Sequence, residues 1–458
     1  MKKYLLTIFF FSIFTCSYAQ QFPKDSLLYN GPRSKMINLV ILPDGYTSAE
    51  LSKFQTDATT FMNSFMLESP FTEYKNYFNV YTIKVPSKQS GAKHPHTAAD
   101  CGSDVTVLNP DNYFQSSFDT NGIDRLLYYN YNIVNTTLIN NFPQWDIVLV
   151  LVNSTKYGGS GGEFAVASTN SRSSVVARHE IGHSFGGLID EYYPGPGYMV
   201  DRNNLTKVSS PSLVRWKNWI GINDIGVYPF TEDPTWYRPH QNCRMRFNNA
   251  PSFCSYCKEI LVEKIHDITN PINNYTPSET TINASSQPII FTVNTFKPIP
   301  NTLKFKWMLD GNLLSNKSDS HTLNVSKSSH TLTVTVIDTT SFVKDASHSS
   351  THLYSVQWKI NSLPTDITVK PLEYKAQVNA YPNPFMDHLT IEYTLEKPSD
   401  IQVDLYDLNG IFIKTLVKHQ NLAAGDYKNT TSINADKGIY LVRFSIDNMI
   451  FTKRVMKQ

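Results

Sequence analysis

Charge is scarce in this 458-residue chain: Asp, Glu, Lys and Arg make up 17% of it, and 41 basic residues against 39 acidic ones leave a formal net charge of +2. With no field of one sign there is no electrostatic footing for a phosphate backbone, which excludes nucleic acid, DNA included, as a partner. Long apolar runs are scarce as well. Past the N-terminus no segment has the roughly 20 apolar residues that a membrane-spanning helix needs. Repeats at solenoid periods and low-complexity tracts are absent. What the chain does have is aromatic residues, at 13%, together with many Asn, Ser and Thr. That composition suits extracellular β-rich modules and argues against disorder. At roughly 100–200 residues per domain, the length calls for about three domains.

Cysteine is rare too, five in all. The chain opens Lys2-Lys3, continues with an apolar run over 4–14, and reaches Ser17-Tyr18-Ala19 before Gln20. A basic end, a short apolar core and a small-x-small site read as a secretory signal peptide over residues 1–19. The run is too short for an anchor, and Phe14-Thr15 ahead of Cys16 makes a poor lipidation site. Cleavage leaves Cys101, Cys243, Cys254 and Cys257, an even number in an oxidising compartment, where disulfides are the expectation. The alternative is a structural zinc on Cys243, Cys254 and Cys257 with a fourth ligand.

Residues 36–268 alternate short apolar runs, such as 36–42 and 145–152, with helical spacing over 49–66 and 122–128. After residue 270 the pattern changes to period-two strands separated by Ser, Asn, Asp and Pro. Residues 281–361 read as a β-sandwich with Trp307 and Trp358 in its core. A linker follows over 362–380, then a second all-β unit over 381–458.

The chemistry is concentrated in Arg178-His179-Glu180-Ile181-Gly182-His183-Ser184-Phe185-Gly186-Gly187-Leu188-Ile189-Asp190-Glu191-Tyr192-Tyr193. His179 and His183, four apart on a helix, project from one face and reach a single zinc ion. Glu180 lies about 100° round the helix, beside the metal, where it can take a proton from water as general base. With 12 His in the chain, HExxH arises by chance only about 0.01 times in such a sequence. Gly186-Gly187 suits the positive-φ turn that ends a helix, so a third ligand should follow soon after. Asp190 and Glu191 are the candidates, and Asp190 is preferred.

In Trp236-Tyr237-Arg238-Pro239-His240-Gln241-Asn242-Cys243-Arg244-Met245-Arg246, Met245 suits an apolar floor under the ligands. Tyr237 or Tyr228 could donate to an oxyanion, and His240 reads as a surface residue. The glycine-rich stretch over 157–167 lacks a phosphate-loop pattern. It reads better as an exposed edge strand able to pair with an extended peptide.

Taken in order, Ile41-Leu42-Pro43-Asp44-Gly45-Tyr46, Ser69-Pro70-Phe71, Ser90-Gly91, the glycine-rich strand, HEIGHSFGGLIDEY and the Tyr237-Arg238-Pro239…Cys243-Arg244-Met245-Arg246 turn resemble the IgA-peptidase-type family of secreted metallopeptidases, a metzincin-like group, over about 36–262. The resemblance implies a zinc endopeptidase with His179 and His183 as ligands, Glu180 as base and Met245 in a Met-turn. One departure stands out: the general metzincin pattern places the third ligand at 189, and Ile189 cannot bind zinc. The tail, with Tyr381-Pro382-Asn383-Pro384-Phe385, the run from Val403 to Gly410 and Gly438-Ile439-Tyr440-Leu441-Val442, is similar to C-terminal sorting domains of the type IX secretion system. That similarity implies passage across an outer membrane, contact with membrane only in transit, and a secreted or cell-surface destination.

The expected architecture is therefore multidomain. A signal peptide (1–19) precedes an α+β metzincin-like zinc peptidase domain (20–270), an immunoglobulin-like β-sandwich (281–361), a linker (362–380) and an all-β sorting domain (381–458). The expected function is a zinc-dependent endopeptidase acting on protein or peptide substrates, with immunoglobulin suggested only by the family's name. An adhesin or glycan-binding protein with a silent metal domain is the alternative, and a zinc amidase or deacylase a third reading.

Overall fold

The computed structural model describes residues 20–458 apart from 104–105, 196, 284–287, 316, 325–328, 362–376, 409 and 448. The expected signal peptide and most of the expected linker lie outside the described residues.

The first unit is built on strands β1 (Lys24–Leu28), β2 (Ile37–Asp44), β3 (Phe78–Ile83), β4 (Ile147–Val152), β5 (Gly159–Ser160) and β6 (Ala165–Ser168), with helices α1 (Leu51–Phe65), α2 (Tyr131–Asn141), α3 (Ser173–Ser184) and α4 (Ser255–Ile268). The strands lie in the order β1-β3-β2-β4-β6-β5. The inner four are parallel, and β1 and β5 close the edges antiparallel. Parallel strands are covered on both faces and so read as unbroken apolar runs; every residue of β2 and β4 is buried. Side-chain alternation along the strands divides the interior into two cores. Leu39 and Ile41 pack with α1, α3 and α4 on one face, whereas Val40 and Leu42 pack with α2 on the other.

Helix α1 forms where expected. Its entry is fixed by a capping box between Thr47 and Glu50, and Phe54, Ala58, Phe61 and Phe65 make its buried stripe. The helical spacing over 122–128 does not become a helix; the next one is α2. Tyr128 exchanges backbone hydrogen bonds with Ser117, and Asn130 N–H donates to the Phe114 carbonyl, so this stretch spends its backbone groups on a distant segment.

The second unit has two sheets around one core. Thr281–Asn283, Tyr354–Asn361, His330–Asp338, Leu303–Leu309 and Asn312–Leu313 form one, and Ser320–Leu323, Ile289–Thr295 and Ile272–Thr276 the other. Trp307 and Trp358 are fully buried between them and stack at 5.9 Å. The third unit, from Gln377–Tyr381 to Met449–Lys457, is all β and has its own core around Val403, Leu405, Val442 and Phe444. Polar contacts join the first unit to the second: Asp338 Oδ2 accepts from the Tyr74 hydroxyl at 2.6 Å and lies 3.0 Å from Nε2 of His266 on α4. No described helix is long and apolar enough to cross a membrane.

Candidate metal centre

α3 packs along β6 and the short edge strand β5 and carries His179, Glu180 and His183 in its last two turns. It ends where Gly187, at φ +63, reverses the chain; Gly187 N–H bonds the His183 carbonyl at 2.9 Å and Leu188 N–H the Gly182 carbonyl at 3.1 Å. An L-residue with a side chain rarely adopts that φ, which is why glycine stands here. The reversal brings Asp190 back over the helix. Asp190 Oδ1 lies 2.9 Å from His179 Nε2 and 3.2 Å from His183 Nε2, and the two imidazole nitrogens are 3.1 Å apart.

Both rings are held from behind. His179 Nδ1 is 2.9 Å from the Arg244 carbonyl and His183 Nδ1 is 2.7 Å from the Leu188 carbonyl. A carbonyl can only accept, so each Nδ1 carries the hydrogen and each Nε2 presents a lone pair. Two lone pairs and a carboxylate oxygen converging on one point repel unless a cation or a proton lies between them. That donor set fits a divalent metal with nitrogen and oxygen ligands. In the metal-free protein the alternative is protonation: burial disfavours the charged ring of His183, but its hydrogen bond to Asp190 and the Asp190 charge prevail and push its pKa up to about 9. Burial likewise opposes ionisation of Asp190, yet hydrogen bonds from both histidines hold it well below the usual carboxylate range.

Glu180 has a carboxylate oxygen within 4.8 Å of the ligand nitrogens of both histidines. Burial raises its pKa above the ordinary carboxylate value against the pull of the neighbouring imidazoles, which moves it toward the range useful to a general base. A Cβ on Gly161 would lie 2.3 Å from Glu180 Oε2, so a larger residue after β5 would push this carboxylate aside. Met245 is fully buried, and a Cβ on Gly182 would meet its sulfur at 2.8 Å, which puts it directly against the ligand-bearing helix.

His179, Glu180, His183, Asp190 and Gly161 line a cleft of about 920 Å³ bounded also by Arg125, Tyr129, Gly162 and Tyr192. Of the expected residues, His179, His183, Asp190 and Glu180 come together. Glu191 does not: it is fully buried among three cysteines. Ile189 turns into an apolar cluster of Leu205, Phe230 and Trp236. Tyr228 and Tyr237 lie on the two strands of a small hairpin, β7 (Tyr228–Pro229) and β8 (Tyr237–Arg238), with Tyr228 opposite Arg238 and Tyr237 opposite Pro229, and neither lines the cleft. Instead Tyr192 lies over His179, with ring centroids 6.5 Å apart, and its phenol is raised above its ordinary pKa by burial and by Asp190. Arg125, whose charge acts on both Glu180 and Tyr192, also escaped sequence reading because no motif surrounds it. Gly159 N–H is taken by the Arg125 carbonyl at 3.2 Å, so this part of the glycine-rich stretch is already paired within the chain.

The expectation of disulfides is overturned: all four described cysteines are free, and Cys243 Sγ and Cys257 Sγ stand 3.7 Å apart, far beyond a disulfide's length of about 2.0 Å.

A helix presenting two imidazoles and a carboxylate to a cleft is a donor set able to hold a divalent metal. Residues 26–233 match the family model described as IgA Peptidase M64, a metal-dependent family, and residues 379–458 match the secretion system C-terminal sorting domain, so this is a multidomain protein with a peptidase unit and a sorting tail. The sorting domain indicates export, to the cell surface or beyond it. The peptidase match ends before Met245. No curated protein matches the chain. Similar solved structures include latent PorU from Porphyromonas gingivalis, 14% identical over 40% of this chain and 19% of that one at a TM-score of 0.18. Others are the Parabacteroides merdae β-glucuronidase (7%, 49% of this chain and 28% of that one, TM-score 0.17) and fibronectin(III)-like modules of Clostridium thermocellum CbhA (12%, 39% and 87%, 0.13).

Proposed function

We propose that the protein is a secreted zinc-dependent endopeptidase, with His179, His183 and Asp190 as metal ligands, Glu180 as general base and acid, and 20–270 as its catalytic unit. On this reading 281–361 is an immunoglobulin-like module, 362–380 a linker and 381–458 the tail read by the type IX secretion machinery. The observation that carries the reading is the triangle of His179 Nε2, His183 Nε2 and Asp190 Oδ1, with edges of 2.9–3.2 Å, beside the Glu180 carboxylate in an open cleft. Zinc bound there supplies Lewis acidity toward water and the scissile carbonyl. Glu180 takes the proton that attacking water gives up and passes it to the leaving amine. Tyr192 and Arg125, which line the same cleft, are the donor and cation suited to meet charge on the carbonyl oxygen. The backbone at Gly161 and Gly162 pairs with an extended substrate, which suits a polypeptide better than a glycan. Immunoglobulin is a substrate to try first, on the family's description alone.

The test compares the mature chain with Glu180→Ala for zinc content and for cleavage of unfolded protein and immunoglobulin. The reading requires equal zinc and cleavage by the wild type only. Cleavage by both would remove Glu180 from the mechanism, and cleavage by neither would favour a binding role.

A further inference from the structure

A second cluster of ligating side chains lies apart from the cleft. Cys243, Cys254, Cys257 and Glu191 are 0%, 6%, 0% and 0% exposed, and one ligand atom from each lies within 4.8 Å of all the others. Cys243 Sγ is 3.7 Å from Cys257 Sγ, and Cys257 Sγ is 3.2 Å from Glu191 Oε1. Zinc–sulfur bonds of about 2.3 Å in a tetrahedron set neighbouring sulfurs about 3.8 Å apart. The sulfur pair already has that spacing, and the sulfur–oxygen pair is a few tenths of an ångström short of the corresponding edge.

Two further observations point to a cation. Glu191 Oε2 is buried without a hydrogen-bond partner, and an unpaired buried carboxylate oxygen is costly unless something positive faces it. The groups around the cluster also hold it as outer supports hold metal ligands: Asn204 Nδ2 donates to Glu191 Oε1 at 2.9 Å, and Cys254 N–H donates to Cys243 Sγ at 3.3 Å.

We infer that Cys243, Cys254, Cys257 and Glu191 form a second, closed zinc site whose role is structural. Three soft thiolates and one carboxylate select zinc over magnesium or calcium, and four protein ligands leave no open position for chemistry. The site ties together three segments that build the catalytic centre. Glu191 is next to Asp190. Cys243 starts the turn in which the Arg244 carbonyl orients His179 and Met245 packs under α3; Glu191 N–H donates to the Met245 carbonyl at 2.7 Å. Cys254 and Cys257 open α4. The structural ion therefore sets the position of Asp190, whether or not the chain cleaves peptides.

The experiment uses the full mature chain with zinc and cobalt as probes. Wild type should hold about two zinc ions, and His179→Ala/His183→Ala about one. In cobalt-loaded protein that double variant should keep the near-ultraviolet thiolate-to-cobalt charge-transfer band, since the catalytic ligands include no sulfur, and chelation should still lower its melting temperature. Cys254→Ser/Cys257→Ser should lose the band. A single zinc in the wild type that disappears with the two histidines, or a disulfide among residues 243, 254 and 257 found by mass after alkylation without reductant, would overturn the site. Two zinc ions without any peptide cleavage would leave it standing while the peptidase reading failed.

Discussion

The imidazole of His179 donates through Nδ1 to the carbonyl of Arg244, 2.9 Å away and 65 residues further along the chain. One hydrogen bond thus connects the ligand-bearing helix to the turn that carries Met245 and Cys243. It also decides which nitrogen of His179 faces the cleft. The proposed metal site is shaped from behind as much as by its own motif.

Asp190 and Glu191 are adjacent yet serve different clusters, so their substitutions should separate. Asp190→Ala is expected to remove the cleft metal, leave the thiolate-bound one and cut kcat/KM by at least about 100-fold. Glu191→Ala should leave the histidine site its ligands while loosening the cysteine cluster. Elemental analysis of both variants measures this, and loss of the same ion in each would contradict it.

Glu68 anchors the back of the site. Its Oε2 accepts from Arg178 Nη1 at 2.8 Å and Arg244 Nη2 at 3.1 Å, and the residue is buried. Glu68→Ala leaves two guanidinium groups facing each other without a counter-charge and should cost about 3–5 kcal/mol in denaturant unfolding. A change below about 1 kcal/mol would mean that water takes over the role of Glu68.

Tyr192 is 40% exposed, so its hydroxyl contributes little to the core. Tyr192→Phe should therefore leave the melting temperature nearly unchanged, while removing the hydroxyl's hydrogen bond to Asp190. If the hydroxyl meets the developing oxyanion, kcat falls by about 100-fold or more with KM little altered. An unchanged kcat would assign Tyr192 to the wall of the cleft only.

The contact between α4 and the second unit should respond to pH. Glu263 accepts from His348 Nδ1 at 2.7 Å and lies 2.6 Å from His352 Nε2, with His266 and Asp338 packed alongside. Burial opposes ionisation of Glu263, but hydrogen bonds from the two histidines bring its pKa down from 4.5 to about 2. Its stabilisation is present above about pH 4.5 and disappears as pH falls toward 2. For His348, burial opposes the charged ring, but Glu263 prevails and raises its pKa above 6.5. That contribution is full below 6.5 and disappears as pH rises through the raised value. Stability from this contact should therefore peak between about pH 4.5 and 6.5, with an amplitude of roughly 1–3 kcal/mol after allowance for solvent screening. Urea midpoints across this range, compared with Glu263→Gln, measure it; identical profiles would dismiss the pair.

Much of the fold was legible where the determinants are local. The apolar runs of β2 and β4 announce buried parallel strands, and the spacing of Phe54, Ala58, Phe61 and Phe65 announces α1. Residues 122–128 misled because apolar spacing says nothing of where backbone groups find partners, and here Ser117 and Phe114 supply them.

By itself the sequence determined the local chemistry of the site. A spacing of four residues from His179 to His183 puts both rings on one face of the helix, with Glu180 beside them, and glycine at 187 ends that helix. The tail motifs likewise carried the export signal. Only the tertiary structure decided that Asp190 and not Glu191 lies against both histidines, that the cysteines gather around Glu191 instead of pairing, and that Arg125 and Tyr192 line the cleft. The physical reason is separation along the chain. Helix periodicity acts over a single turn, whereas Glu191 meets Cys257 across 66 residues, and such a contact exists only once the sheet and its helices have packed.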